Sequence, residues 1–132
     1  MSEVLTNYQK ELNEHLVIDE FTLKDVQLQL PARKHLWVGR LMRHKHELNQ
    51  LKKEKIEKLS DLTKVIQEQS NVRLSTPAAE KVAANTNNIK EINNKIQEQY
   101  VLIEYLEKVE KIMSSIGFDI RNIIEIQKLE TQ

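Results

Sequence analysis

Residues 82–113, VAANTNNIKEINNKIQEQYVLIEYLEKVEKIM, decide the fold class of this chain. Branched apolar residues recur in them every seven positions, and a second apolar series fills the complementary positions: Val82, Ile89, Ile96 and Ile103, with Ile92, Leu106 and Met113. This heptad is typical of a coiled-coil helix whose apolar residues form a seam. Asn85 and Gln99 fall at seam positions, where polar residues fix register at a cost in stability. The pattern leaves open whether the seam packs within one chain, as an antiparallel hairpin, or between chains.

The boundaries of this helix follow from residues on either side of the seam. Thr76 followed by Pro77 favours a helix start, and Gly117 favours a left-handed C-terminal cap, so a coiled-coil helix is predicted over residues 76–116. A short, strongly apolar helix is then predicted over residues 118–130. It has more large apolar residues than one buried face of a small bundle requires. We therefore expect residues of this region to be covered by another subunit: Ile116, Phe118, Ile120, Ile123, Ile124 and Leu129.

Upstream of the seam, the apolar spacing is also helical. An N-terminal helical region is predicted over residues 1–31, with Asp19 as the N-cap of its second element. Residues 26–30 alternate between apolar and polar as in a strand, but helix is favoured because no partner strand is found elsewhere. Pro31 is expected to kink or break the helix. A helix over residues 32–69 follows.

The composition agrees with an all-α fold. The 132 residues are 30% charged and contain two glycines, two prolines and no cysteine. Few turn residues and few aromatics argue against sandwiches and barrels, so we expect a single all-helical domain over residues 1–132, an elongated helical hairpin or bundle. No apolar run approaches the ~20 residues of a membrane span, and no signal peptide is recognisable. A soluble, intracellular protein is expected.

Charge is concentrated in one segment although the chain as a whole is neutral. Residues 33–58 carry nine basic and three acidic side chains, a local charge of +6 with histidines neutral, and they include the single tryptophan, Trp37. Residues 33–45 have five basic residues and no acid. Such a segment indicates a polyanion-binding site more than a solvated face, and nucleic acid is the expected polyanion. Lys52 and Lys55 interrupt the apolar stripe, so each must extend along its alkyl stem or face a groove.

No duplex-reading module is recognisable, so sequence-tolerant binding of single strands is the simpler hypothesis. Trp37 is either part of the core or a platform for base stacking. The candidate DNA-binding residues are Arg33, Lys34, Trp37, Arg40, Arg43, Lys45, Lys52, Lys53, Lys55 and Lys58. Catalysis, a metal site and a cofactor are not expected, since His44 and His46 would point about 200° apart on a helix and no nucleophile has a base nearby.

Several short matches, in this order and spacing, resemble the UvsY family of recombination mediators from T-even-type bacteriophages. They are Gln9-Lys10-Glu11-Leu12, Val17-Ile18-Asp19 and Leu23 near the start; Lys34, Trp37, Lys45 and Glu47; and Ile112, Ser114, Gly117-Phe118, Ile120 and Ile123. The resemblance implies an all-helical protein in the cytoplasm of the infected bacterial host. It also implies a ring-like homo-oligomer of about six or seven subunits, assembled through the C-terminal block.

The resemblance further implies binding to single-stranded DNA and contacts with the phage recombinase and the phage single-strand-binding protein. The implied role is non-catalytic: loading the recombinase onto strands covered by the single-strand-binding protein. One departure concerns the family's basic motif on the second helix, which falls near Ser60 and Leu62; neither is basic, and Lys55 and Lys58 are only the nearest lysines. The alternative is a coiled-coil scaffold or chaperone-like assembly that binds protein and not DNA.

Overall fold

The computed structural model describes residues 2–131, and all regular secondary structure in that range is helical. The helices are α1, Ser2–His15; α2, Leu23–Gln69; α3, Thr76–Ala84; and α4, Asn87–Glu130. The prediction of an all-α fold is confirmed. No helix within the described range has the length and apolar composition needed to cross a membrane.

The helices contribute to two compact units. The terminal unit takes in the chain up to Met42 and from Leu102 onward, and the middle unit is Arg43–Val101. The terminal unit buries apolar side chains of α1, the first part of α2 and the last part of α4, whereas the middle unit buries those of the rest of α2, α3 and the start of α4. Six of the seven predicted seam residues are buried by their own chain: Ile89, Ile92, Ile96, Ile103, Leu106 and Met113. The seam therefore packs within the chain.

Side chains close the turn that precedes α2. The Asp19 carboxylate accepts hydrogen bonds from the backbone N–H groups of Phe21 and Thr22, at 2.8 and 2.9 Å. The Thr22 hydroxyl accepts one from the Asp19 N–H at 2.8 Å, and the Asp19 carbonyl accepts one from the Leu23 N–H. These bonds satisfy donors that a helix start leaves unpaired. Asp19 caps this region as predicted.

The sequence predicts a kink or a break at Pro31. Pro31 lies inside the continuous helix α2, so the break, and with it the boundary between residues 31 and 32, is wrong. A proline in a helix interior removes one hydrogen bond and costs about 3 kcal/mol. A continuous buried stripe nevertheless runs through it, from Leu23, Val26 and Leu30 to Trp37 and Leu41. A break in the helix would turn half of this stripe away from the core. The free energy gained by packing the stripe therefore outweighs the cost of Pro31 in the helix interior, and the helix continues. The strand-like alternation before Pro31 is likewise helical.

The predicted helix over residues 76–116 is interrupted after Ala84. Asn85 Nδ2 donates to the Lys81 carbonyl at 3.0 Å, and Thr86 Oγ1 donates to the Ala83 carbonyl at 2.7 Å. These side chains donate to carbonyls that backbone N–H groups of the next turn would bond if the helix continued. The helix therefore ends, and α4 begins at Asn87. Asn85 is thus a C-cap and not a seam residue. Val82 is half exposed, at 51%.

Gly117 does not end α4, which continues to Glu130, and the predicted separate C-terminal helix is wrong. The apolar stripe explains this, because Met113, Ile116 and Ile120 are all buried in the terminal unit and a break would separate them. Burial of Ile116 and Ile120 in their own chain also corrects their assignment to an interface between subunits. Other predicted interface residues remain exposed: Phe118 at 64%, Ile123 at 37% and Leu129 at 71%, with Ile124 half-buried.

Candidate nucleic-acid interface

Trp37 lies in the core of the terminal unit, with only 2% of its surface exposed. The rings of Tyr8 and His15 approach it edge-on, with centroids at 5.7 and 5.9 Å. Its indole Nε1–H donates to His15 Nδ1 at 3.2 Å, so the polar atom of this large side chain is satisfied. The question of core or stacking platform is answered in favour of the core. Including Trp37 among the DNA contacts was wrong, since its ring is not accessible to a base.

Arg40 belongs to the same cluster. Its guanidinium lies over the rings of Trp37 and Tyr8, 4.6 and 4.9 Å from their centroids. The two terminal nitrogens contact both carboxylate oxygens of Glu11, at 2.7 and 3.1 Å, and the side chain is 15% exposed. The 3.1 Å contact is a hydrogen bond, whereas the 2.7 Å contact is an ion pair without hydrogen-bond geometry; the guanidinium thus combines a charge pair with two cation–π contacts. Arg40 therefore holds α1 against α2, and little of its side chain is accessible to a strand.

Arg33 and Lys34 are half-buried in the terminal unit. The Arg33 guanidinium donates to the His15 carbonyl at 3.3 Å and to the Gln29 side-chain oxygen at 2.7 Å. Lys34 lines a small cavity of about 100 Å³ together with Glu110. Arg33 is thus engaged with its own chain, and Lys34 faces a cavity within the terminal unit.

His15 gives the cluster a dependence on pH. Burial lowers the pKa of His15 below its usual value of 6.5, and the charge of Arg33 lowers this pKa further, while Glu11 opposes the shift. Protonation would also remove the Nδ1 lone pair that accepts the Trp37 hydrogen bond. The folded protein therefore favours neutral His15, and the unfolded chain binds the proton more readily.

We expect the free energy of unfolding to rise with pH across a window that starts at the lowered folded-state pKa and ends near 6.5. Urea unfolding of the wild type and of His15→Gln, measured between pH 5 and pH 8, isolates the histidine, because carboxylates titrate in both proteins. The free energy of unfolding of His15→Gln should rise less with pH than that of the wild type. His46→Gln is the control, since it removes an exposed histidine from outside the Trp37 cluster. Parallel curves for wild type and His15→Gln would contradict the assignment.

The remaining candidates lie on α2 in the middle unit, and they are more accessible. Arg43, Lys45, Lys52, Lys53 and Lys58 are exposed, and Lys55 is half-buried. Lys58 approaches Glu54 at 3.4 Å, a pair one helical turn apart with both side chains 48% exposed. Exposed pairs of this kind are weak and are readily exchanged for another anion. Accessible positive charge is therefore concentrated in the second part of the segment.

Lys52 and Lys55 line a cleft between α2 and α4 within the middle unit, with a volume of about 670 Å³. This agrees with the expectation that lysines interrupting the apolar stripe extend outward or face a groove. The described residues that line the cleft include no carboxylate; they are Lys52, Lys55, Ile56, Leu59, Asn93, Ile96, Gln97 and Tyr100. The cleft is therefore a positively charged recess with apolar walls.

Sequence reasoning missed Tyr100. The residue is 43% exposed, and the Lys52 ammonium lies 5.3 Å from the centroid of its ring. The residue is next to the seam in sequence, so its spacing resembles that of a core position. Tyr100 lies near Lys52 and Lys55, about 50 residues away in sequence, only because α2 and α4 pack against each other in the middle unit. No signal in the sequence alone identifies this pair.

A second cavity of about 800 Å³ lies between α2 and α3 in the middle unit. Its lining contains charges of both signs: Glu80, Lys64 and Lys81. An anion would meet less favourable electrostatics there than in the first cleft. Within residues 2–131, no group of three or more metal-ligating side chains is close enough to hold a metal ion.

No protein-family model matches the chain, and a search of curated protein sequences finds no match. Solved structures do match it. The bacteriophage T4 recombination mediator protein UvsY superposes with TM-scores of 0.79, 0.81 and 0.77 in three crystal lattices. Each match has 17% sequence identity and covers 94–97% of this chain and 98% of the T4 chain. The chain thus has the fold of UvsY over nearly its whole length, as its sequence resemblance led us to expect.

Proposed function

We propose that this protein is a non-catalytic recombination mediator that binds single-stranded DNA. It would help a phage recombinase to assemble on strands covered by a single-strand-binding protein, in the cytoplasm of the infected host. The observation that carries this proposal is the shared fold with a recombination mediator over 96% of this chain and 98% of that one. Partners and role follow from the resemblance, and the accessible lysines of α2 supply the chemistry for strand binding.

Electrostatics support the choice of ligand. Residues 43–58 hold six basic and three acidic side chains in a protein of net charge zero. Binding through such a patch releases counterions from the strand, and each neutralised phosphate contributes a slope of about −0.7 to log K against log salt. One copy of this patch makes few contacts and binds weakly, so the function calls for several copies on one strand.

Self-association would supply those copies. Phe118, Ile123, Ile126 and Leu129 are exposed apolar residues on the last turns of α4 in the terminal unit. We propose that these residues meet another subunit, in a ring-like homo-oligomer of about six or seven copies that repeats the lysines around an axis. The same apolar residues would equally serve the alternative function, a scaffold or chaperone-like assembly that binds protein and not DNA.

Binding to labelled single-stranded oligonucleotide, measured by fluorescence anisotropy, separates these functions. We expect binding at low salt and progressive loss as the salt concentration rises, because the contacts are to phosphates. A protein-binding scaffold would show no binding even at low salt, and this outcome would overturn the proposal. Light scattering of the same sample should give a mass several times the 15.5 kDa of the single chain.

A further inference from the structure

We propose that the cleft between α2 and α4 in the middle unit is a nucleotide-binding subsite. Tyr100 stacks with one base of the single strand, and Lys52 and Lys55 bind the phosphates on either side of it. This inference rests on the proposed function and deepens it. It adds a base contact, at a residue outside the basic segment, to what would otherwise be binding to the backbone alone.

The size and walls of the cleft fit one nucleotide. Its volume of about 670 Å³ lies within the range of about 300–1,000 Å³ found for small-molecule sites. Ile56, Leu59 and Ile96 give it apolar walls, and lysines and amides supply the polar groups. A base has an apolar face and a polar edge, and its phosphates are anionic. The chemistry of the lining therefore matches the three parts of a nucleotide.

The charge in the cleft can attract an anionic partner. Lys55 is half-buried on the stripe that its helix otherwise uses for packing, and no carboxylate lines the cleft beside it. If the two lysines only filled space with their alkyl stems, both ammonium groups would extend into solvent. The Lys52 ammonium instead lies over the ring of Tyr100, 5.3 Å from its centroid. The charge of Lys52 thus remains at the cleft, where a phosphate can reach it, and Lys55 lines the same cleft.

The contact between Lys52 and Tyr100 explains how the ring becomes available to a base. A cation over a partly exposed ring is held weakly, whereas a hydrogen bond between an ammonium and a phosphate is charge-assisted. A phosphate entering the cleft therefore draws Lys52 away from the ring and uncovers the face of Tyr100. The exposed aromatic face can then stack with any base, because every base has a π face.

The amides in the cleft predict weak discrimination between bases. Asn93 and Gln97 each present both a hydrogen-bond donor and an acceptor. Either side chain can satisfy the edge of any of the four bases after rotation about its last bond. We therefore expect stacking to contribute affinity with little preference for sequence. Such tolerance suits a protein that must act on any single strand.

Two changes test the stacking contact, one in the protein and one in the strand. Tyr100→Leu keeps an apolar side chain and should weaken binding to a single-stranded oligonucleotide about tenfold, the typical loss for a base–aromatic stack. Tyr100→Phe keeps the ring and should bind within about twofold of the wild type. Phe21→Leu is the matched control, because Phe21 is a 90% exposed aromatic outside the cleft and should leave affinity unchanged.

The second change replaces bases by abasic sites, which keeps every phosphate in place. Wild type should prefer the normal strand over the abasic strand by about the same tenfold, and Tyr100→Leu should lose this preference. Equal affinity of the wild type for the two strands overturns the inference and leaves the proposed function standing. Absence of binding to either strand at low salt overturns both. Because the preference compares two strands on one protein, a partly unfolded variant does not obscure it.

Discussion

A variant carrying Lys52→Gln, Lys53→Gln, Lys55→Gln and Lys58→Gln should bind a single-stranded oligonucleotide about a hundredfold or more weakly than the wild type at low salt. Each of these lysines is accessible from solvent or from the cleft, and glutamine keeps a side chain of similar length without the charge. The slope of log K against log salt should also become shallower, by about 0.7 for every phosphate contact that is lost. Anisotropy titrations at four or five salt concentrations measure both quantities.

A charge-matched control separates the lysine cluster from bulk electrostatics. Lys10→Gln, Lys24→Gln, Lys108→Gln and Lys128→Gln remove the same four charges from exposed positions outside residues 33–58. This control should keep most of the affinity and nearly the full salt slope, because its lysines do not lie on the proposed path of the strand. An equal loss in the two variants would show that net charge, and not the segment, governs binding.

Arg40 is left out of this variant because its side chain contributes to the packing of α1 on α2. Its guanidinium is held by Glu11 and by two aromatic rings, so its removal would disturb the packing of α1 on α2. Loss of DNA binding in an Arg40 variant would then report on folding as much as on the strand. The exposed neighbour Arg43 lacks this complication and makes a suitable fifth substitution.

Local periodicity was enough to predict the fold class and most of the packing. The heptad from Ile89 to Met113 identifies residues that the structure buries, and the cap at Asp19 follows from a short-range pattern of side-chain and backbone groups. In each case the information lies within a few residues of the feature. Local spacing therefore carries the helical content and the buried faces.

Helix boundaries were predicted less well, because they depend on competition between local and tertiary terms. Pro31 and Gly117 each favour an interruption, but a buried stripe continues on both sides and decides for a longer helix. At Asn85 and Thr86 the outcome is reversed. Their side chains take the terminal carbonyls of α3, and the heptad register does not carry the helix across them. These helix boundaries can be predicted only when it is known which side chains are buried.

The candidate site was predicted by charge but not by geometry. The sequence offers no reason to rank the nine basic residues of the segment. Only the structure separates the arginines of the terminal unit, which contact their own chain, from the accessible lysines of the middle unit. Trp37 and His15 are 22 residues apart, and Lys52 and Tyr100 are 48 apart. Pairings over such separations come from tertiary packing, and the periodicity of a single helix holds no information about them.

Trp37→Ala should have the largest effect on stability of any single substitution considered, about 3–5 kcal/mol, which is the usual cost of truncating a buried aromatic residue to alanine. The loss has identifiable parts. The residue is only 2% exposed, its Nε1–H donates to His15, and the Arg40 guanidinium lies 4.6 Å from the ring centroid. Urea unfolding followed by circular dichroism, at one fixed protein concentration because association adds to stability, gives the difference.

Phe21→Ala is the matched control for this prediction, since it truncates an aromatic residue that is 90% exposed and should change stability by less than about 0.5 kcal/mol. If Trp37 were instead a stacking platform, Trp37→Ala would change the free energy of unfolding as little as Phe21→Ala does. The same variant would bind the oligonucleotide more weakly than the wild type. A Trp37→Ala protein with wild-type stability and weakened oligonucleotide binding would therefore contradict the core assignment. A destabilised protein whose folded fraction binds the strand normally would support it, because the DNA contacts are then confined to the lysines and Tyr100.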